Sequence, residues 1–115
     1  MNRKLKFRVY IPDHEKFSYF ELGKFTHSDR YLYQHNYPVQ QYTGLKDKNG
    51  DEIYEGDIVK ATSDQYENEN FVGKVIFDEG CFLTWINKND IRGIWGEDDI
   101  EVIGNIFENP ELLKQ

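Results

Sequence analysis

The sequence predicts a single all-β, or β-rich, domain, and three observations carry the expectation. Aromatic residues make up 16% of the 115 residues, with eight Tyr and eight Phe, while Ala is nearly absent. Aromatic and β-branched side chains suit the pleated, half-buried surface of a sheet. The run Leu5 to Ile11 alternates apolar with basic residues at the strand period of two. Turn signals recur between short apolar runs, at Asn49-Gly50, Glu55-Gly56-Asp57 and Asp78-Glu79-Gly80. A chain of this length buries roughly two-thirds of its unfolded surface, enough for a core without disulfides or metal.

Leu5 to Ile11 is a half-buried strand that Pro12 closes, because proline cannot donate to a ladder. Pro12-Asp13-His14-Glu15 is a turn, and Lys16 to Leu22 is an aromatic strand ended by Gly23-Lys24. Thr26 to Asn36 is polar around Tyr31, Leu32 and Tyr33 and fits no single period. Val39 to Leu45 leads into a hairpin whose arms are Gln41 to Leu45 and Glu52 to Tyr54. Its Asn49-Gly50 pair predicts a type I′ turn, which needs φ > 0 at both central residues. After Glu55-Gly56-Asp57 turns the chain, Ile58 to Ala61 is a β-branched strand. Ser63 to Asn70 is a polar loop. Phe71 to Phe77 and Cys81 to Ile86 are strands joined by Asp78-Glu79-Gly80. Asn87 to Asp99 mixes turn residues with Ile91, Ile94 and Trp95, and reads as an irregular connection or a short helical turn. Ile100 to Ile106 is the last strand. Asn109 as N-cap, Pro110 at the first helical position and Glu111 in the first turn predict a short C-terminal helix.

The order G-D-I-V, loop, V-G-K-V-I-F, turn, C-F-L-T-W is similar to that of small SH3-like barrels, with Gly56 and Gly73 at tight bends. The full expectation is therefore a small SH3-like barrel with added N-terminal strands and a short C-terminal helix. Three blocks also resemble a known family. Gln41 to Val59, Q-Y-T-G-L-K-D-K-N-G-D-E-I-Y-E-G-D-I-V, resembles the signature of the YopX-like proteins of phages and prophages of Gram-positive bacteria. Lys6 to Tyr10 resembles the family's opening K-F-R-A-W, with Val9 and Tyr10 as departures that keep strand character. Ile100 to Leu113, I-E-V-I-G-N-I-F-E-N-P-E-L-L, resembles its closing segment, and Gly80-Cys81-Phe82 a turn found in many members. The resemblance implies a mostly β fold, a phage or bacterial origin and self-association, and it brings no catalytic residues.

Net charge is −7, unevenly placed: the first eight residues hold Arg3, Lys4, Lys6 and Arg8 and no acid, leaving ten bases against 21 acids over residues 9–115. An acidic body repels phosphate backbones and disfavours nucleic acid. The basic N-terminus reads first as a charged edge strand that discourages edge pairing, and second as an arm for phosphate contacts. The single Cys81 excludes an internal disulfide and fits a reducing cytoplasm. No signal peptide or membrane-length apolar run is visible, so a soluble cytoplasmic protein is expected.

No catalytic, cofactor or metal set emerges. His14, His27 and His35 lack the close pairing of zinc ligands. Asp47-x-Asn49-x-Asp51 resembles the start of a calcium loop, but Glu52 stands where the turn needs Gly and Ile58 where Glu must chelate. Cys81 lies beside Asp78 and Glu79, which oppose a thiolate. Glu97, Asp98, Asp99 and Glu101 are the densest acidic cluster and read as a solvated loop, with a cation or basic partner as the functional alternative. Candidate interface residues are Phe7, Val9 and Tyr10 on the N-terminal strand, with Trp85 and Trp95, because Trp and Tyr are favoured in hot spots and eighteen aromatics exceed what a small barrel encloses. The N-terminal strand is the expected crossing between subunits, its bases facing a neighbour's acids. The expected function is that of a phage or prophage accessory protein, not an enzyme, which acts by protein binding as a homo-oligomer and on a host or phage protein. The alternative is a nucleic-acid-associated module using the basic N-terminal arm. A metal-dependent hydrolase built on the acidic cluster ranks third.

Overall fold

The computed structural model describes residues 5–21, 37–61, 70–93 and 100–113, and within them the protein is all-β. Strands β1 (Lys6–Ile11), β2 (Lys16–Glu21), β3 (Val39–Lys46) and β4 (Glu52–Tyr54) form an antiparallel sheet in the order β2-β1-β3-β4. Strands β5 (Asp57–Ala61), β6 (Phe71–Asp78), β7 (Cys81–Asn87), β8 (Asp90–Gly93) and β9 (Ile100–Asn105) form a second, in the order β8-β7-β6-β5-β9, curved into a half-barrel. Among the described residues no pairing joins β8 to β9. The half-barrel encloses Val59, Ala61, Phe71, Val75 and Ile100, and Ile53 of β4 reaches into the same cluster. β5 is buried on both faces at Ile58 and Val59, with 0% and 1% exposure, and only Lys60 of the strand is exposed.

Several expectations are corrected. The N-terminal strand is not an edge: β1 lies between β2 and β3, its Arg8 opposite Tyr19 on one side and Gln40 on the other. The segment 87–93 is not irregular. Asn87 Oδ1 accepts from Asn89 N (2.8 Å), which turns the chain into β8. The short C-terminal helix is present, as a single 3₁₀ turn, Pro110–Leu113, near β6, and Asn109 Oδ1 accepts from Asn105 N. Gly73 is needed for close approach rather than a bend, since a Cβ there would meet the Trp85 carbonyl at 2.7 Å. The expectations placed on Thr26–Asn36, on 62–69 and on 94–99 fall outside the described residues.

The turn chemistry is also redistributed. Positive φ at both central residues, the mark of a type I′ turn, occurs at Glu79 (50°) and Gly80 (83°), between the paired Asp78 and Cys81. In the turn of the β3–β4 hairpin, 47–51, only Gly50 has a positive φ (84°). Gly50 N donates to Asp47 O and Asp47 N to Asp51 O, a type I turn followed by a left-handed glycine.

Asp47 closes this hairpin and ties it to the second sheet. Its buried carboxylate accepts from Asn49 N and Asp51 N through Oδ1 and from Val102 N of β9 through Oδ2, each at 2.9 Å. Lys48 N donates to Ile100 O beside it. Burial pushes the Asp47 carboxyl up, but these three N–H groups and the Lys48 charge outweigh it and hold the pKa below the ordinary 3.8.

Two predictions follow from the turns. A carboxylate with a depressed folded-state pKa contributes stability that is present above its unfolded value and lost as pH falls through the folded one. Asp47→Asn should therefore destabilise the protein by about 2 kcal/mol at neutral pH, with the difference from the parent shrinking below about pH 4; urea titrations at several pH values check both. Gly50→Ala, with open space around its Cβ, should cost about 1 kcal/mol of backbone strain. Gly56 (φ 83°) is also left-handed and its Cβ would collide with the Gln40 side-chain amide, so Gly56→Ala should cost about 3 kcal/mol or more. Equal urea midpoints for the two variants would contradict this.

Candidate functional site

Strand alternation places Lys6, Arg8 and Tyr10 of β1 on one face of the first sheet, beside Phe17 and Tyr19 of β2, Gln40 and Tyr42 of β3, and Glu52 and Tyr54 of β4. Arg8 is the centre of this face. Its Nη2 lies 2.8 Å from Asp57 Oδ1, and the two side chains are 5% and 4% exposed. Nε donates to Gln40 Oε1 (2.8 Å) and Nη2 to Glu55 O (3.1 Å). The guanidinium lies over the rings of Phe17 (4.2 Å) and Tyr54 (5.0 Å). Asp57 Oδ2 accepts from Tyr54 N. Burial pushes the Asp57 carboxyl up, while Arg8 and the Tyr54 N–H pull it the other way. Burial and the neighbouring Glu52 carboxylate likewise push the Tyr54 hydroxyl up, so it stays protonated.

Above this pair, between the two sheets, opens a cleft of about 510 Å³. Phe17, Tyr19 and Tyr54 are its aromatic walls, Asp51, Glu52 and Glu108 its carboxylates, and Arg8 and Asp57 its buried floor. The β9 end contributes Gly104 and Asn105. Asn105 Oδ1 accepts from Phe107 N and Glu108 N, and its Nδ2 donates to Glu108 Oε1, which sets Glu108 beside the opening. On the floor, Arg8 Nε and Nη2 and both Asp57 carboxylate oxygens have protein partners. The arrangement suits recognition by charge and aromatic surface.

The sequence-derived candidates scatter. Val9 is 2% exposed and packs inside the chain, which removes it from any surface. Phe7 stacks on Phe20 (5.5 Å), and Tyr10 on Phe107 (4.8 Å). Trp85 is half-buried on β7 under the Lys74 ammonium (4.7 Å). Trp95, Glu97, Asp98 and Asp99 lie outside the described residues; Glu101 pairs with Lys48 at 3.4 Å. Of the N-terminal bases, Lys6 pairs with Glu52 (2.7 Å) and Arg8 with Asp57. Arg3 and Lys4 lie outside the described residues. Among the described residues no group of three His, Cys, Asp or Glu could hold a metal, and no helix is long and apolar enough to cross a membrane.

Two antiparallel sheets joined by a buried arginine–carboxylate pair define the class: an all-β protein with a polar inter-sheet cleft. The YopX protein family model matches residues 6–114, and the chain belongs to that family. Over 68 residues it is 41% identical to the SPbeta prophage-derived uncharacterized protein YopX of Bacillus subtilis (strain 168), covering 54% of this chain and 50% of that one. The match thus spans about half the length of the curated relative. The fold is similar to the crystal structure of protein EF1440 from Enterococcus faecalis, with a TM-score of 0.63 and 25% identity over 96% of this chain and 98% of that one. The protein is thus of a phage and prophage family represented in Gram-positive bacteria.

Removing Arg8 leaves Asp57 buried without its cation, so Arg8→Ala should destabilise the protein by about 3–5 kcal/mol. Arg8→Met combined with Asp57→Asn should lose much less than the sum of the single changes, because neither member is then left charged and alone. Chemical denaturation of the four proteins of the cycle measures the coupling.

Proposed function

We propose that the chain acts as a binding protein rather than an enzyme, in the cytoplasm of a bacterial host, associating with itself and through its cleft with a host or phage protein. The observation that carries the reading is that, among the described residues, the strands that end each sheet carry exposed apolar side chains. β2 and β8 each end a sheet, and each bears a large exposed side chain, Tyr19 at 59% and Ile91 at 48% exposure. A strand with unpaired backbone groups and an apolar neighbour is a template for a second copy. We read the five-stranded half-barrel as SH3-like, with β8 the edge that a copy would extend. Self-association through β8 replaces the crossing by the N-terminal strand, which is interior to its sheet. Light scattering at micromolar concentration should give a mass well above 13.7 kDa, and Ile91→Lys, which places a charge on the β8 edge, should lower it. A folded 13.7 kDa species at high concentration would end the self-association reading.

A further inference from the structure

The cleft between the sheets narrows the chemistry of the partner. Arg8 is the one cation lining it among the described residues, and Asp57 already pairs with it. Asp51, Glu52 and Glu108 remain around it; Lys6 reaches Glu52 from outside the cleft, and Glu108 meets only a neutral amide. The local charge is therefore negative. The aromatic walls already hold one guanidinium, that of Arg8, against Phe17 and Tyr54. Tyr19 and Tyr54 meet in a T-shaped pair (5.6 Å, 68°), and Tyr19 is 59% exposed and has no cation over its ring among the described residues. The cleft, about 510 Å³, is open to solvent on the side of Tyr19, so a side chain presented by a partner can reach it from the surface.

We propose that this cleft binds an organic cation, the guanidinium or ammonium head of a basic side chain presented by a protein partner, using the Tyr19 ring and the Asp51 and Glu108 carboxylates. The proposal rests on the binding reading above and names the partner's chemistry. Ring faces attract cations through their quadrupole, and more strongly where water is excluded. Arginine fits better than lysine, because its planar head stacks on a ring while its fork meets carboxylates. Phosphate-bearing ligands meet the same carboxylates and are repelled.

The test titrates the full chain with three probes: a blocked Gly-Arg-Gly peptide, its neutral citrulline counterpart and spermidine. Backbone amide shifts report the place of binding. The arginine peptide should shift amides at Tyr19, Asp51 and Gly104 and bind about tenfold or more tightly than the citrulline peptide. Tyr19→Ala, and separately Asp51→Asn with Glu108→Gln, should each weaken it to a similar degree, with thermal melts checking that the variants are folded. Equal binding of the citrulline peptide would overturn the cation claim. Spermidine binding at the same residues more tightly than the peptide would assign the cleft to free polyamines and overturn the protein source. The oligomer mass, measured on the same samples, separates the two readings. No shift in the cleft with an intact oligomer overturns the site alone, and no shift in a monomer overturns both.

Discussion

The Arg8 guanidinium sets the terms for the rest of the molecule. A cation taken out of water destabilises a fold unless its donors find acceptors and a counter-charge. Arg8 finds them on three segments: Gln40 of β3, the Glu55 carbonyl at the corner, and Asp57 at the start of β5. Each partner fixes a piece of geometry. Gln40 must lie opposite Arg8, which sets the β1–β3 register. Asp57 must turn back across the corner, and it does so while accepting from Tyr54 N, so the corner is held at both ends. Gly56 sits between them because the Gln40 amide fills the space a side chain would need. The corner also joins the sheets directly, since Gly56 N donates to Val75 O and Gly56 O accepts from Ile106 N.

The aromatic surplus finds its place on the same face. A half-barrel core built from Val, Ala, Ile and one Phe has no room for eighteen aromatics. Many instead pack sideways across the first sheet: Tyr10 with Phe17 and Phe107, Tyr19 with Tyr54, and Tyr54 with Tyr42. Phe107 comes from beyond β9, so this layer is a second bond between the sheets. Cross-strand aromatic pairs stabilise a sheet on their own, and here they also surround the two cations that β1 directs to that side. A face so built is neither a dry core nor an ordinary surface. It is apolar in its walls and ionic at its base, and a cleft forms where the β9 end fails to cover it.

Local features were legible in the sequence to the extent that local physics decides them. The alternation in Leu5 to Ile11, the Pro12 stop and the β-branched run after Gly56 mark strands within a residue or two of their ends. Turn type was less legible. Asn49-Gly50 has the composition of a type I′ turn, yet the Asp47 carboxylate draws in Asn49 N and Asp51 N and stabilises a different loop, while Glu79 takes the left-handed conformation that its own composition disfavours. β8 carries no strand signal of its own, because four residues are too few for a period to register and its strand character comes from the pairing of Trp85 with Ile91. The site was not legible at all. Arg8 in an alternating strand and Asp57 after a turn glycine both look like solvent residues, since charged side chains are buried only when paired, and no spacing rule links positions so far apart in the chain. The one available signal was that Arg8 shares a strand face with Tyr10 and lies in a block with no acid of its own.

That pairing also changes what the charge distribution means. As sequence, the chain has a basic beginning and an acidic remainder. In the fold, two of the four N-terminal bases are set against acids of the middle segment, Lys6 on Glu52 and Arg8 on Asp57. Lys6 and Arg8 are thereby neutralised at short range, and neither is paired with Asp51 or Glu108 at the cleft mouth. Carboxylates beside low-dielectric aromatic walls act over a longer reach than the same groups on an open surface. The division of labour within the cleft follows. Arg8, Asp57 and Tyr54 belong to the network that holds the sheets together, so changing them changes the fold. Tyr19, Asp51 and Glu108 stand at the mouth, where Tyr19 is 59% exposed and the two carboxylates carry no ion pair among the described residues. Substitution there alters what the cleft attracts while leaving its floor intact.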